Sequence, residues 1–158
     1  MGATGATGVA NANGTANYVA KFASPDSLIS SGTIYDSAGQ VGIGTITPNS
    51  TLGVQGSIAL PFAVTGSLTS YTLGMSDYTL RRYGSCTNIT VPDATACPGR
   101  IYIIINSFGT GSSVTLTPVN GQVIFDDVTG THYETTGLPQ NTRIKIQSDG
   151  ANWIVTGN

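Results

Sequence analysis

Between Asn11 and Leu60 the chain shows short apolar pairs at period two, Val41/Ile43, Leu52/Val54 and Ile58/Leu60, with Gly, Asn, Ser and Pro between them. Period two puts both members of a pair on one face of a strand, so the segment reads as short strands joined by turns. A single copy buries too little surface to offset the roughly 1–2 kcal/mol per residue that ordering a backbone costs. Its core has to come from elsewhere. Three copies wound about one axis supply it, each contributing an inward row while small polar residues face water. Residues 11–62 are therefore expected to form the β shaft of an intertwined homotrimeric fibre.

Upstream, Gly2-Ala3-Thr4, Gly5-Ala6-Thr7 and Gly8-Val9-Ala10 repeat glycine at every third position. A collagen-like triple helix needs that period because only glycine fits at its axis, and a flexible Gly/Ala/Thr linker fits residues 1–10 equally. Either reading expects a fibre segment or virion protein before it. Downstream, from about Thr65, β-branched and aromatic residues become denser. Strands are predicted over Asp77–Tyr83, Asn88–Val91, Arg100–Phe108, Ser113–Thr117, Gln122–Phe125, Thr131–Thr135, Thr142–Gln147 and Asn152–Thr156, with Asn120-Gly121 and Asp149-Gly150 turns. No helical period competes. Strands recurring in this way predict an all-β chain whose residues 63–158 form an antiparallel β-sandwich tip of jelly-roll type.

Two strands carry stronger expectations. Ile101-Tyr102-Ile103-Ile104-Ile105 is apolar on both faces, which predicts a central strand covered on both sides. In Thr142–Gln147, Ile144 and Ile146 face one way while Arg143 and Lys145 face the other, giving a half-buried strand with a wet outer face.

Six Lys/Arg and eight Asp/Glu make 9% of the chain charged, against 39% hydrophobic, with a formal net charge of −2. Disorder needs low hydrophobicity with high net charge, so the chain is expected to fold. Arg81-Arg82 is the longest basic run, too short for the phosphate contacts of nucleic-acid binding. No apolar run approaches the roughly 18 residues of a membrane span, and no signal-peptide pattern opens the chain. Cys86 and Cys97 flank a short strand, so a disulfide closing a small loop and two buried thiols both fit.

Asn17-Tyr18-Val19-Ala20-Lys21-Phe22, Leu28, Gly39-Gln40-Val41-Gly42-Ile43-Gly44-Thr45, Pro48 and Leu52-Gly53-Val54-Gln55-Gly56-Ser57-Ile58 together resemble a shaft module of phage tail fibres and related bacterial surface proteins. Such modules often precede an intramolecular chaperone of the endosialidase type. Leu73-Gly74 with Asp77-Tyr78, Cys97-Pro98-Gly99-Arg100-Ile101-Tyr102 and Ile146-Gln147-Ser148-Asp149-Gly150-Ala151-Asn152-Trp153 are similar, more loosely, to C-terminal fibre domains of phages and Bacteroidetes proteins. The pattern departs from the chaperone-bearing one, because no helical segment follows the last predicted strand before Asn158. The resemblance implies an extracellular tail or head fibre of a virion, whose trimeric tip attaches to host-surface or mucus glycans. A bacterial surface adhesin whose tip only caps the trimer, and a glycan depolymerase, are the alternatives.

Sugar recognition uses an aromatic face against the ring and neutral hydrogen-bonding groups around it. Tyr133, His132, Trp153 and Tyr83, with Asn152 as polar partner, are the candidate ligand-binding residues. Trp153 alternates with Val155 and so also fits a core position. His132 lies near Asp126, Asp127 and Glu134, but a turn with two aspartates is ordinarily solvated, so no metal, cofactor or catalytic residue is expected there. No Gly-x-Ser-x-Gly nucleophile pattern occurs, and Gly42-Ile43-Gly44 lacks the third glycine and helix of a phosphate cradle. The chain is expected not to be an enzyme.

Overall fold

The structure is a computed structural model that describes residues 14–24, 27–107, 113–134 and 136–157, without the side chains of Ser24, Ser27 and Tyr133. The glycine triplets of residues 1–10 lie outside the described residues. The chain is all-β and divides into two units, residues 1–59 and 60–158. Phe62, read from the sequence as the end of the shaft, belongs to the second.

In the first unit, β1 (Tyr18–Ser24), β2 (Ser27–Ser37), β3 (Gln40–Ile43) and β4 (Leu52–Val54) form one sheet in that order. The β2–β3 hairpin turns through Ala38 and Gly39, both at positive φ (53° and 79°), a backbone whose twist matches that of paired strands. β4 then lies parallel to β3, with Val41 opposite Leu52 and Gly42 opposite Gly53. The connection between them folds back tightly: a Cβ on Gly42 would overlap the Thr45 carbonyl oxygen, and one on Gly53 would come within 2.9 Å of Pro48 Cβ. The glycine spacing thus answers to close backbone approach. Ile58/Leu60, expected as a third strand pair, belongs to no strand, with Ile58 63% and Leu60 50% exposed.

Gly42 is the only buried residue among those described in this unit. Phe22 is 70%, Ile46 60% and Leu52 58% exposed. The leanness read from the sequence is therefore present in three dimensions: the described residues form a hydrogen-bonded sheet without a side-chain core.

The second unit contains two sheets. One has the order β13 (Thr136–Leu138), β10 (Val114–Pro118), β8 (Asn88–Val91), β6 (Ser70–Thr72). The other has the order β12 (Thr131–Tyr133), β11 (Ile124–Asp126), β15 (Trp153–Gly157), β14 (Thr142–Ser148), β9 (Ile101–Asn106), β7 (Thr79–Arg82), β5 (Phe62–Val64). All eight strands predicted here are found, with ends shifted by a residue or two; β5, β6 and β13 carried no sequence signal.

The expectation of antiparallel sheets is corrected by the pairing. From β5 to β10 the chain alternates between the sheets, and each strand lands parallel to the one laid two strands earlier: β5, β7, β9 in one sheet and β6, β8, β10 in the other. This makes three coils of a two-sheet parallel solenoid. The coils stack at their corners. Thr65 Oγ1 accepts from Tyr83 N and donates to Tyr83 O, and a Cβ on Gly84 (φ 81°) would overlap the Gly66 carbonyl oxygen, so only glycine fits there. Antiparallel strands close the last coil, β14 on β9 and β13 on β10, while β15 joins β14 and takes β11 parallel on its far side. Turn chemistry misled because it is local: Asp149-Gly150 does turn the β14–β15 hairpin, but Asn120-Gly121, both at positive φ, carries the chain from one sheet to the other.

Alternation supplies the core. Leu80, Tyr102, Ile104, Ile124, Ile146 and Trp153 from one sheet meet Ile89, Val91, Val114 and Leu116 from the other, all at most 1% exposed. The strand expected to be central and covered on both sides is an interior one, between β14 and β7, but Ile101, Ile103 and Ile105 are only half-buried; the described residues cover β9 fully on its Tyr102/Ile104 face alone. Cys86 and Cys97 both pack into or against this core as free thiols, not as the disulfide also considered. Their Sγ atoms approach the carbonyl oxygens of Asn88 and Asp93, and burial pushes both thiols up from their ordinary pKa.

Candidate functional site

The outer face of the seven-stranded sheet is defined by register. One row runs Val64, Arg81, Ile105, Arg143 across β5, β7, β9 and β14. Two residues along, Phe62, Thr79, Ile103 and Lys145 form the next, and beyond it come Ile101, Gln147, Ile154, Phe125 and His132. Of the six Lys and Arg in the chain, three stand in these rows, and none of the eight acidic residues does.

The end of this face nearest the first row is a cleft of about 570 Å³, lined by Ile105, Asn106, Ser107, Asn141, Thr142 and Arg143. Its floor is firmly held. Asn106 is fully buried and donates from Nδ2 to Leu138 O, and its own carbonyl accepts from Asn141 N at 2.7 Å. Asn141, at φ 59°, turns the chain into β14 so that Arg143 points outward while Ile144 enters the core. Beside the cleft Arg81 is oriented twice over: Nε donates to Ser107 Oγ at 2.7 Å, and its guanidinium carbon lies 5.4 Å from the Tyr83 ring centroid. Tyr83 remains 47% exposed. The cleft thus joins Ile105, neutral hydroxyl and amide groups and Arg143, with Arg81 and Tyr83 attached beside it through Ser107.

The structure disperses the residues singled out from the sequence. Tyr83 borders the cleft. His132 is exposed on β12, five strand spacings from β7 and thus on the order of 24 Å away along the sheet, its ring edge-on to Phe125 at 4.3 Å. The backbone of Tyr133 pairs with Ile124, and its side chain lies outside those described. Asn152 belongs to the β14–β15 turn, where its Oδ1 accepts from Val123 N and its own N–H, with that of Ala151, holds the Asp149 carboxyl below the usual range.

Trp153 corrects the reading most. It is 0% exposed, its Nε1 donates to Pro92 O at 2.9 Å, and its ring packs on Tyr102 at 5.3 Å, so it is a core residue and no sugar platform. Near His132, Asp126 has a structural role, since its Oδ1 accepts from Val128 N and Thr129 N and shapes the β11–β12 turn. Among the described residues no three His, Cys, Asp or Glu side chains converge as metal ligands would.

Arg81, Ser107 and Arg143 were missed as a set. The sequence put Arg143 outward, but only strand order places it across Ile105 from Arg81. Compared with family models, curated proteins and solved structures, the chain matches none of them.

Proposed function

We propose that this chain is part of a homotrimeric attachment fibre of a phage virion, acting outside the cell, in which residues 60–158 bind a glycan of the host surface or its mucus through the Tyr83–Arg143 cleft. The observation that carries the reading is the first unit: a four-stranded sheet whose described residues bury no side chain beyond a glycine. Such a sheet gains a core by packing against symmetry copies, which is how a shaft is built. Three identical clefts on one stalk then raise avidity without new contacts. Light scattering should give three times the chain mass, and immobilised mucin should retain the protein. A monomer at micromolar concentration overturns the fibre reading.

A bacterial surface fibre, in which the second unit only caps and registers the trimer, is favoured by one observation, the half-exposed row Ile101, Ile103 and Ile105 beside Phe62 at 60% exposure. In that case mucin glycans are not retained, while deletion of residues 60–158 lowers the melting temperature of the remainder.

A further inference from the structure

Resting on the attachment reading above, we propose that the cleft selects saccharides carrying an anionic group, a carboxylate or a sulfate ester, which Arg81 and Arg143 grip from opposite sides over Ile105. Neighbouring strands lie about 4.8 Å apart, so Arg81 and Arg143, each one strand from Ile105, have Cα atoms about 10 Å apart on the same face. Two guanidinium groups reaching inward from that separation can converge on one small anion, and each offers the planar fork that matches its oxygens. Lys145 stands two residues along β14 on the same face, about 7 Å from Arg143, and adds a third positive charge.

Three features point to an anionic ligand over a neutral one. The charges are segregated: a chain of net charge −2 presents three cations and no carboxylate in these rows. They are uncompensated, since Arg143 and Lys145 make no ion pair among the described residues. Finally, Arg81 is pre-oriented. Ser107 occupies its Nε and Tyr83 its face, which leaves the terminal NH2 groups as donors and removes part of the ordering cost of binding. The partly exposed Tyr83 ring and the Ile105 side chain offer apolar surface to the C–H face of a sugar, and Asn141 at the cleft offers a neutral partner for its hydroxyls. Three cations on one face are too few for the phosphate-by-phosphate binding of a nucleic acid.

The test is titration calorimetry of the full chain with lactose, 3′-sialyllactose and lactose 3′-sulfate, at low and high salt, with a panel of neutral mucin oligosaccharides alongside. Sialyllactose or the sulfated sugar should bind at least about tenfold more tightly than lactose, as charge-assisted hydrogen bonds require, with the carboxylate and sulfate arms telling the two sources apart. That preference should weaken with salt and vanish in Arg143→Gln and in Arg81→Gln, while Arg143→Lys retains part of it. Melting temperatures should shift by only a few degrees at most, since both side chains are on the surface and only Arg81 gives up internal contacts, those with Ser107 and Tyr83. Equal binding of neutral and anionic sugars, unchanged in either variant, overturns this inference and leaves the attachment reading standing. Retention of none of the sugars overturns both. Equal retention of single-stranded DNA or anionic vesicles by the same arginines assigns the row to polyanions in general and overturns the proposal, as does an Arg143→Gln variant that changes oligomeric state instead of sugar preference.

Discussion

Replacing Trp153 by phenylalanine separates a core residue from a binding platform. Trp153 stands on β15 between β11 and β14, its backbone opposite Ile124 and Ser148, and its side chain has no exposed surface. Phenylalanine removes the Nε1 donor to Pro92 O, worth about 0.5–1.5 kcal/mol net for an ordinary hydrogen bond. It also removes the second ring from a space bounded by Tyr102, which adds about 1–2 kcal/mol on the scale of core truncations. The sum, about 1.5–3.5 kcal/mol, is a large fraction of the roughly 5–15 kcal/mol that holds a domain together. In a domain of about 100 residues it lowers the melting temperature by roughly 10–20 °C. Alanine, at about 3–5 kcal/mol, approaches the limit of folding. Far-ultraviolet circular dichroism measures both. The wild type gives an independent check, because Trp153 is its sole tryptophan: native emission should be blue-shifted and poorly quenched by acrylamide, changing only as the second unit unfolds. A Trp153→Phe protein that melts like wild type, or a native indole quenched as freely as an unfolded one, would refute the placement of this side chain in the core.

Gly42→Ala forces a methyl group into the Thr45 carbonyl oxygen and should destabilise the first unit by about 1–3 kcal/mol, read by thermal shift or proteolysis; Gly14→Ala, with nothing within 4 Å, is the neutral control. The Asp93 carboxylate caps the short turn at Ala94–Ala96, accepting from Thr95 N, Thr95 Oγ1, Gln122 Nε2 and Asn120 Nδ2, and the Thr95 hydroxyl leads in holding its pKa down at about 2. Because the folded value lies below the ordinary 3.8, ionised Asp93 stabilises the fold above pH 3.8 and that contribution is lost as pH falls through about 2. The stability gap between wild type and Asp93→Asn should therefore narrow over that window, and a gap independent of pH contradicts the capping role. Cys86 and Cys97 should react slowly with Ellman's reagent in the native protein and both react on denaturation, their thiols being raised by burial; an intact mass lighter by two hydrogens would instead reveal a bond between them.

What the sequence disclosed is what alternation and composition control. Strand after strand in the second unit lies where β-branched residues alternate, and the inward set of Ile144 and Ile146 against the outward Arg143 and Lys145 could be read directly. The lean first unit was legible for the same reason: too few apolar residues leave nothing to bury. The solenoid was hidden. Its coils are related by backbone path, with Phe62 over Thr79 and Thr79 over Ile103, unequal steps along the chain that give no constant period to detect. Its first strands, Phe62–Val64 and Ser70–Thr72, are three residues each and half exposed, below the length at which alternation can be recognised.

The candidate site was hidden for a related reason. Residue type picks out aromatics, but sheet packing decides which of them face solvent. Trp153, the most suitable sugar platform by chemistry, fills the space that the large side chains of two sheets leave between them, whereas Tyr83, just beyond β7, stays at the rim where its coil turns. Arg81 and Arg143 lie far apart in the chain and became neighbours of Ile105 only because β9 takes a parallel strand on one side and an antiparallel strand on the other. A mixed sheet of this kind joins residues that neither hairpin logic nor local spacing connects. The same topology explains why β9 is apolar on both faces: Tyr102 and Ile104 fill the core between the two sheets, while Ile101, Ile103 and Ile105 lie half-buried on the outer face, where Ile105 lines the cleft.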